Sequence, residues 1–136
     1  MEHEKIEDKL NHYKEYIESL KQIDNMEVYQ YLIGLGKKLN DAPLSQDKQI
    51  EPNRVSRCQY DLFVDVEDNK FKAWSNAMIA GGYAYILVDI FNSVSPEDAK
   101  KITLEHFKSI KLDELLTMNR QSGFYQMIDM MTEKVK

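Results

Sequence analysis

The chain is short of cysteine, histidine, proline and basic residues, and each shortage excludes something. One cysteine, Cys58, stands among 136 residues, so no disulfide can close within the chain, which fits a reducing compartment. A single thiol also cannot supply the four cysteine ligands that usually hold an iron–sulfur cluster. The three histidines, His3, His12 and His106, lie at no metal-ligand spacing from one another or from Cys58. Lys and Arg number 18 against 23 Asp and Glu, a net charge of -5. That balance argues against nucleic acid, whose phosphates need a basic surface, and against an anionic membrane surface. The longest nearly uncharged apolar run, 78–88, is too short to span a bilayer and carries two glycines. The N-terminus opens on charged residues, so we expect no signal peptide and a cytoplasmic protein. Repeats, low-complexity tracts, a phosphate loop and a nucleophile elbow are all missing. Gly34-Leu35-Gly36 falls inside an expected helix and says nothing of nucleotides.

What is present fits one domain over 1–136 with a single core. Ile6, Leu10, Tyr13, Ile17 and Leu20 recur at steps of four and three, which predicts a helix over about 4–22 with a solvated back. Asp24 and Glu27 have capping-box spacing ahead of a second helix, about 26–39, whose core face is Val28, Leu32, Leu35 and Leu39. Residues 40–52 lose all periodicity and hold two of the three prolines, so they read as a long loop with room for movement or function. Tyr60, Leu62, Val64 and Val66 alternate with Asp61, Phe63 and Asp65, predicting a strand over 60–66. A turn and a return strand over 71–74 make a hairpin, and Val55 and its neighbours offer a third, edge strand.

Ser75 is expected to cap a buried helix over about 76–92, apolar nearly all round. Gly81 and Gly82 inside it each cost about 1 kcal/mol against alanine, so close approach of a strand or loop backbone is the simplest compensation. Ser95-Pro96-Glu97-Asp98 starts a short helix. Leu112, Leu115 and Leu116 suggest another. Thr117 is expected to cap the last helix, which turns Phe124, Met127, Ile128 and Met131 inward to about Lys134. The order is α+β: two helices, a small antiparallel sheet of about three strands, then helices packed on one face of the sheet.

Cys58 sits between the loose segment and the first strand, flanked by Arg54 and Arg57. The thiolate is the nucleophile, and nearby cations favour it. The plainer reading is an inert small hydrophobe. A Cys-His hydrolase would pair Cys58 with His106, although nothing in the spacing brings them together.

Four segments, in order, then resemble the SufE family of sulfur-acceptor proteins: YQYLIGLGKKL (29–39), NRVSRCQYDLFVDV (53–66), WSNAMIAGGYAYIL (74–87) and NRQSGFYQMI (119–128). The resemblance implies a SufE/IscU-like α+β fold and Cys58 as sulfur acceptor. It marks Gln59, Arg120 and Gly123 as supporting or partner-binding residues, beside Arg54 and Arg57, whose charges would favour the Cys58 thiolate. It implies no cofactor and no metal of the chain's own. The partners would be a pyridoxal-phosphate (PLP) cysteine desulfurase of the SufS type and a downstream iron–sulfur scaffold, with a homodimer by resemblance alone. Three places depart from the family's pattern. Arg57 stands where glycine usually precedes the cysteine, Phe63 where tryptophan is frequent, and Trp74 and Asn76 flank Ser75 where acids are expected. These departures motivate a second reading, a regulatory or binding module that keeps the fold without relaying sulfur.

Overall fold

Two helices begin the chain in the computed structural model, which describes residues 5–108, 114, 116 and 118–135. Helix α1, Ile6–Ile23, buries the expected stripe of Ile6, Leu10, Tyr13 and Ile17. Helix α2, Asn25–Leu39, follows after a single residue. Asp24 caps it by accepting from the Met26 amide at 3.1 Å. The reciprocal arm of a capping box has no donor to use, because the Asp24 N–H closes α1 on Leu20 O at 3.0 Å.

The segment expected to be loose is anchored. It contains two short 3-10 turns, Gln46–Lys48 and Glu51–Asn53. Leu44 is buried, and its amide donates to Ala73 O at 3.2 Å. The side chain of buried Asn53 donates to Lys48 O (2.8 Å) and Asp65 Oδ2 (3.1 Å), and its oxygen accepts from Lys134 Nζ (3.2 Å). Burial alone would raise the Asp65 carboxyl. The Val66 amide and Lys134 outweigh burial and hold it below the usual carboxylate value.

Strand β1, Leu62–Glu67, pairs antiparallel with β2, Lys70–Ser75, in a register that sets Leu62 opposite Ser75 and Phe63 opposite Trp74. The turn places Asp68 (φ 56°) and Asn69 (φ 65°) in the left-handed region that these two residue types tolerate. Among the described residues the sheet has two strands, not three. Arg54 makes one isolated bridge with Phe63, and Val55 N donates to Leu62 O at 2.8 Å. The chain then turns away, with Cys58 N bonded back to Val55 O at 3.0 Å. An edge strand therefore stops at its first rung.

Helix α3, Met78–Ser93, runs through the centre, with Tyr83, Ile86, Leu87 and Ile90 fully buried. It begins two residues later than expected, and Ser75 is not its cap. Ser75 ends β2, where its hydroxyl donates to Asp61 O (2.7 Å) and accepts from Ala77 N (3.1 Å). Close approach does explain the glycines, but the approaching backbone is that of helix α2. A Cβ on Gly82 would lie 2.2 Å from Leu32 O, and one on Gly36 would lie 2.5 Å from Met78 O. Helix α1 is tied to α3 by Tyr13, which donates to Asp89, and by a Lys9–Asp89 ion pair at 3.0 Å. Burial, then Asp89, pushes the Tyr13 phenol far up, so it stays a donor.

Helix α4, Pro96–Ala99, starts as expected on Ser95, whose Oγ accepts from Asp98 N at 3.1 Å. A five-residue helix, α5, Leu104–Lys108, was not expected. Helix α6, Met118–Lys134, buries Phe124, Met127, Ile128 and Met131 as expected. The expectations for His3, Leu112, Leu115 and Thr117 lie outside the described residues. Among the described residues no helix is long and apolar enough to cross a membrane.

Candidate functional site

Cys58 occupies a short loop between the Arg54 bridge and β1. Two contacts fix the neck of that loop, the Val55–Leu62 hydrogen bond and an ion pair between Arg54 Nη1 and Asp61 Oδ1 at 3.1 Å. Beyond the neck, the chain folds down onto α3 and α6. Cys58 is only 7% exposed there, so the thiol is seated rather than displayed.

Three residues make the seat. Tyr83 of α3 donates its O–H to Cys58 Sγ at 3.7 Å. Its ring is held edge-on to Phe124, with centroids 5.5 Å apart. Burial, then the neighbouring Cys58, pushes the phenol well above its ordinary value, and Arg120 draws it back only in part. Tyr83 is therefore a protonated donor across the whole neutral range. Gly123 of α6 lies beneath the loop, where a Cβ would sit 2.8 Å from the Tyr83 oxygen and 3.2 Å from Cys58 Cα and Cβ. Gln126, one turn further along, accepts from Arg57 N at 2.6 Å and donates to Ser56 Oγ at 2.9 Å. Residues three apart on a helix share a face. Burial of Phe124 and Met127 in the core leaves Gly123 and Gln126 turned to the loop.

The other expected residues spread around this seat. The Arg54 guanidinium is offset by Asp61 and lies over the Phe63 ring, 5.9 Å from its centroid. Arg57 and Gln59 are exposed on the loop. Arg120 is half-buried and lines an open groove of about 500 Å³ with Ile33, Tyr60, Asn76, Met78 and Ala80. The groove thus starts two residues beyond Cys58, at Tyr60. His106 turns its Nδ1 to the Thr103 amide at 3.0 Å, while the side chain hydrogen-bonded to the sulfur is Tyr83. No group of three or more metal-ligating side chains occurs among the described residues.

Tyr83, Gln126 and Ser56 were missed in the sequence. Tyr83 had a partial signal: a phenol on a largely apolar helix needs a partner when buried, a signal that Tyr85 on the same helix shares. Gln126 and Ser56 had none, because their contact joins positions 70 residues apart.

A family model described as SufE, Fe-S metabolism associated domain, matches residues 14–135. The chain belongs to the SufE family. The match contains the whole seat, from Cys58 to Gln126. An uncharacterized SufE-like protein of Synechocystis is 29% identical over 110 residues, which cover 78% of this chain and 68% of that protein. A cysteine desulfuration protein SufE of Plasmodium falciparum is 30% identical over 128 residues, 85% of this chain and 50% of that protein. The solution structure of a hypothetical protein from Thermus thermophilus superposes with a TM-score of 0.69 at 25% identity, covering 93% of each chain. The expected family and the α+β fold are both borne out.

The SufE seat leaves no room at Gly123. Gly123→Ala sets a methyl against the Tyr83 oxygen and the Cys58 backbone. We expect it to lower stability by about 1–3 kcal/mol, read as a lower thermal midpoint, and to raise the exposure of Cys58, read as faster thiol modification.

Proposed function

We propose that this SufE-family chain takes sulfane sulfur from a PLP-dependent cysteine desulfurase of the SufS type onto Cys58 and passes it towards an iron–sulfur scaffold, stimulating the desulfurase as it does so. The carrying observation is the family match over 14–135, with the chain's only thiol inside it. The chain acts as one domain over 1–136, as a homodimer and in the cytoplasm.

The step is a substitution at sulfur. The Cys58 thiolate attacks the outer sulfur of the desulfurase persulfide. A new S–S bond forms on Cys58, the old one breaks, and its electron pair leaves with the desulfurase thiolate. Persulfide is exchanged for persulfide, so no oxidant or reductant is consumed. The PLP belongs to the partner. The low exposure of Cys58 supports the carrier half of the role, since a carried sulfur needs shelter from free thiols between donor and acceptor. The groove beside the loop offers the partner an apolar wall, with Met78 55% and Tyr60 43% exposed, and one cation, Arg120. Arg57 and Gln59, on the exposed side of the loop, would meet the partner first.

The test is the intact mass of the protein after incubation with an active SufS-type desulfurase, PLP and cysteine, without reductant. A gain of one sulfur atom, reversed by added thiol, is expected. An unchanged mass beside an active desulfurase would overturn the acceptor role and favour the regulatory module.

A further inference from the structure

The Cys58 loop is held at two levels, and only one of them is part of the hairpin scaffold. Its neck is set by the Val55–Leu62 hydrogen bond and the Arg54–Asp61 ion pair. Its tip is held from below by single side chains. Gln126 spans two successive loop residues with one amide, taking the Arg57 N–H at 2.6 Å and giving its own N–H to Ser56 Oγ at 2.9 Å. Tyr83 holds the sulfur itself.

We propose that Gln126, with Tyr83, is a positioning residue that latches the Cys58 loop shut, so that the sulfur becomes available only when these tip contacts break while the neck stays closed. The meaning of the latch rests on Cys58 being the acceptor; its test does not.

The physics favours a latch over a fixed wall. Ser56 and Arg57 are exposed and Gln126 is half-buried. When the tip lifts, water can satisfy the Ser56 hydroxyl, the Arg57 amide and the Gln126 amide, so none of these three is stranded, and the cost of opening falls on the buried Tyr83 hydroxyl, which loses the sulfur. The neck residues Val55 and Leu62 are fully buried, so the same motion at the neck would expose core. The hinge therefore falls between neck and tip. Because one side chain makes both tip bonds, they break together, and the loop has two arrangements rather than a gradual fraying. Tyr83 adds a third contact that only the closed tip can make.

One thiol in the chain makes the readout unambiguous. The rate of Cys58 alkylation by iodoacetamide on the native full-length protein, divided by the rate on the denatured chain, reports the open fraction. Each net hydrogen bond lost raises that fraction about threefold to fivefold. Gln126→Met keeps the length and loses both partners, and is expected to alkylate about tenfold faster than the parent. Gln126→Glu keeps an acceptor for the Arg57 amide and should fall between the two. Tyr83→Phe keeps the ring on Phe124, loses the donor, and should give about a threefold rise.

Hydrogen exchange at the amides of Ile86 and Leu87 in the buried helix separates a local latch from general loosening. The latch predicts no change there. Rates for Gln126→Met within twofold of the parent would overturn it. So would a rise matched by equally faster core exchange, or a parent thiol that reacts as fast folded as denatured. None of these results depends on a desulfurase. A missing sulfur gain leaves the latch rates unchanged, and unchanged latch rates leave the sulfur gain standing.

Discussion

Cys58→Ser is expected to take up no sulfur from an active desulfurase while still binding it. Serine keeps the shape of the seat, and the Tyr83 hydroxyl can donate to an oxygen as it does to the sulfur. Losing the larger sulfur from a nearly buried site costs about 1 kcal/mol, too little to unfold a domain of ordinary stability. The chemistry, by contrast, is lost entirely. Attack on a persulfide needs a thiolate, and no other cysteine in the chain can substitute. Two measurements decide it together: intact mass for uptake and titration calorimetry for binding. Uptake lost with binding kept separates carrier chemistry from recognition. Sulfur still gained by the serine variant would mean that the gain never resided on Cys58, and the proposed function would fall.

The departures from the family's pattern stand in different surroundings here. Arg57 gives Gln126 only its backbone amide, at 2.6 Å, which a glycine would give equally, and nothing in the structure explains its exposed side chain. Phe63 and Trp74 are cross-strand neighbours, stacked with centroids 6.4 Å apart. Asn76 Oδ1 accepts from the Asp61 amide at 3.1 Å, at the end of the cysteine loop. Of these four residues, Asn76 supports the loop through its side chain, while Phe63 and Trp74 pack on each other within the hairpin.

What could be read from the sequence was local. The stripe of α1, the Ser95 start of α4 and the inward face of α6 each follow from spacings within one or two turns. The hairpin was legible because alternation on both sides of a polar turn specifies it. Helix α5 was not, since five residues show too little of a 3.6 period to register. The third strand failed for a tertiary reason: the turn at Cys58 ends pairing after one bridge, and turn geometry there leaves no composition signal. Cys58 stood out by its rarity. Tyr83 reaches it across 25 positions and Gln126 reaches its neighbours Ser56 and Arg57 across about 70, and no pattern in a single chain says which residues such partners are.

Gly82→Ala is expected to cost about 2–4 kcal/mol net, read as a fall of about 10 °C or more in thermal midpoint. The new methyl would lie 2.2 Å from Leu32 O, 2.7 Å from Leu32 C and 2.8 Å from Leu32 Cα. Carbon atoms rest at about 3.5–4.0 Å, so the helices must part by about 1 Å. Nothing flexible stands in the way that could yield instead, because all three atoms are backbone of a fully buried residue in α2. The gain in helix propensity, about 1 kcal/mol, offsets only part of this. Gly34 provides the opposite case on the neighbouring helix: it is exposed, with nothing within 4 Å of where an alanine methyl would stand, so Gly34→Ala should stabilise by about 0.5–1 kcal/mol. The contrast in sign removes composition as an explanation and leaves the backbone contact. It also reaches the sulfur, because Tyr83 follows Gly82 directly and its hydroxyl is the group hydrogen-bonded to Cys58. Parting α2 from α3 shifts that hydroxyl, so Gly82→Ala should speed Cys58 alkylation even at temperatures where the chain stays folded. A midpoint within about 2 °C of the parent would mean that the two helices do not meet backbone to backbone, and that Tyr83 owes its place under the thiol to something other than this contact.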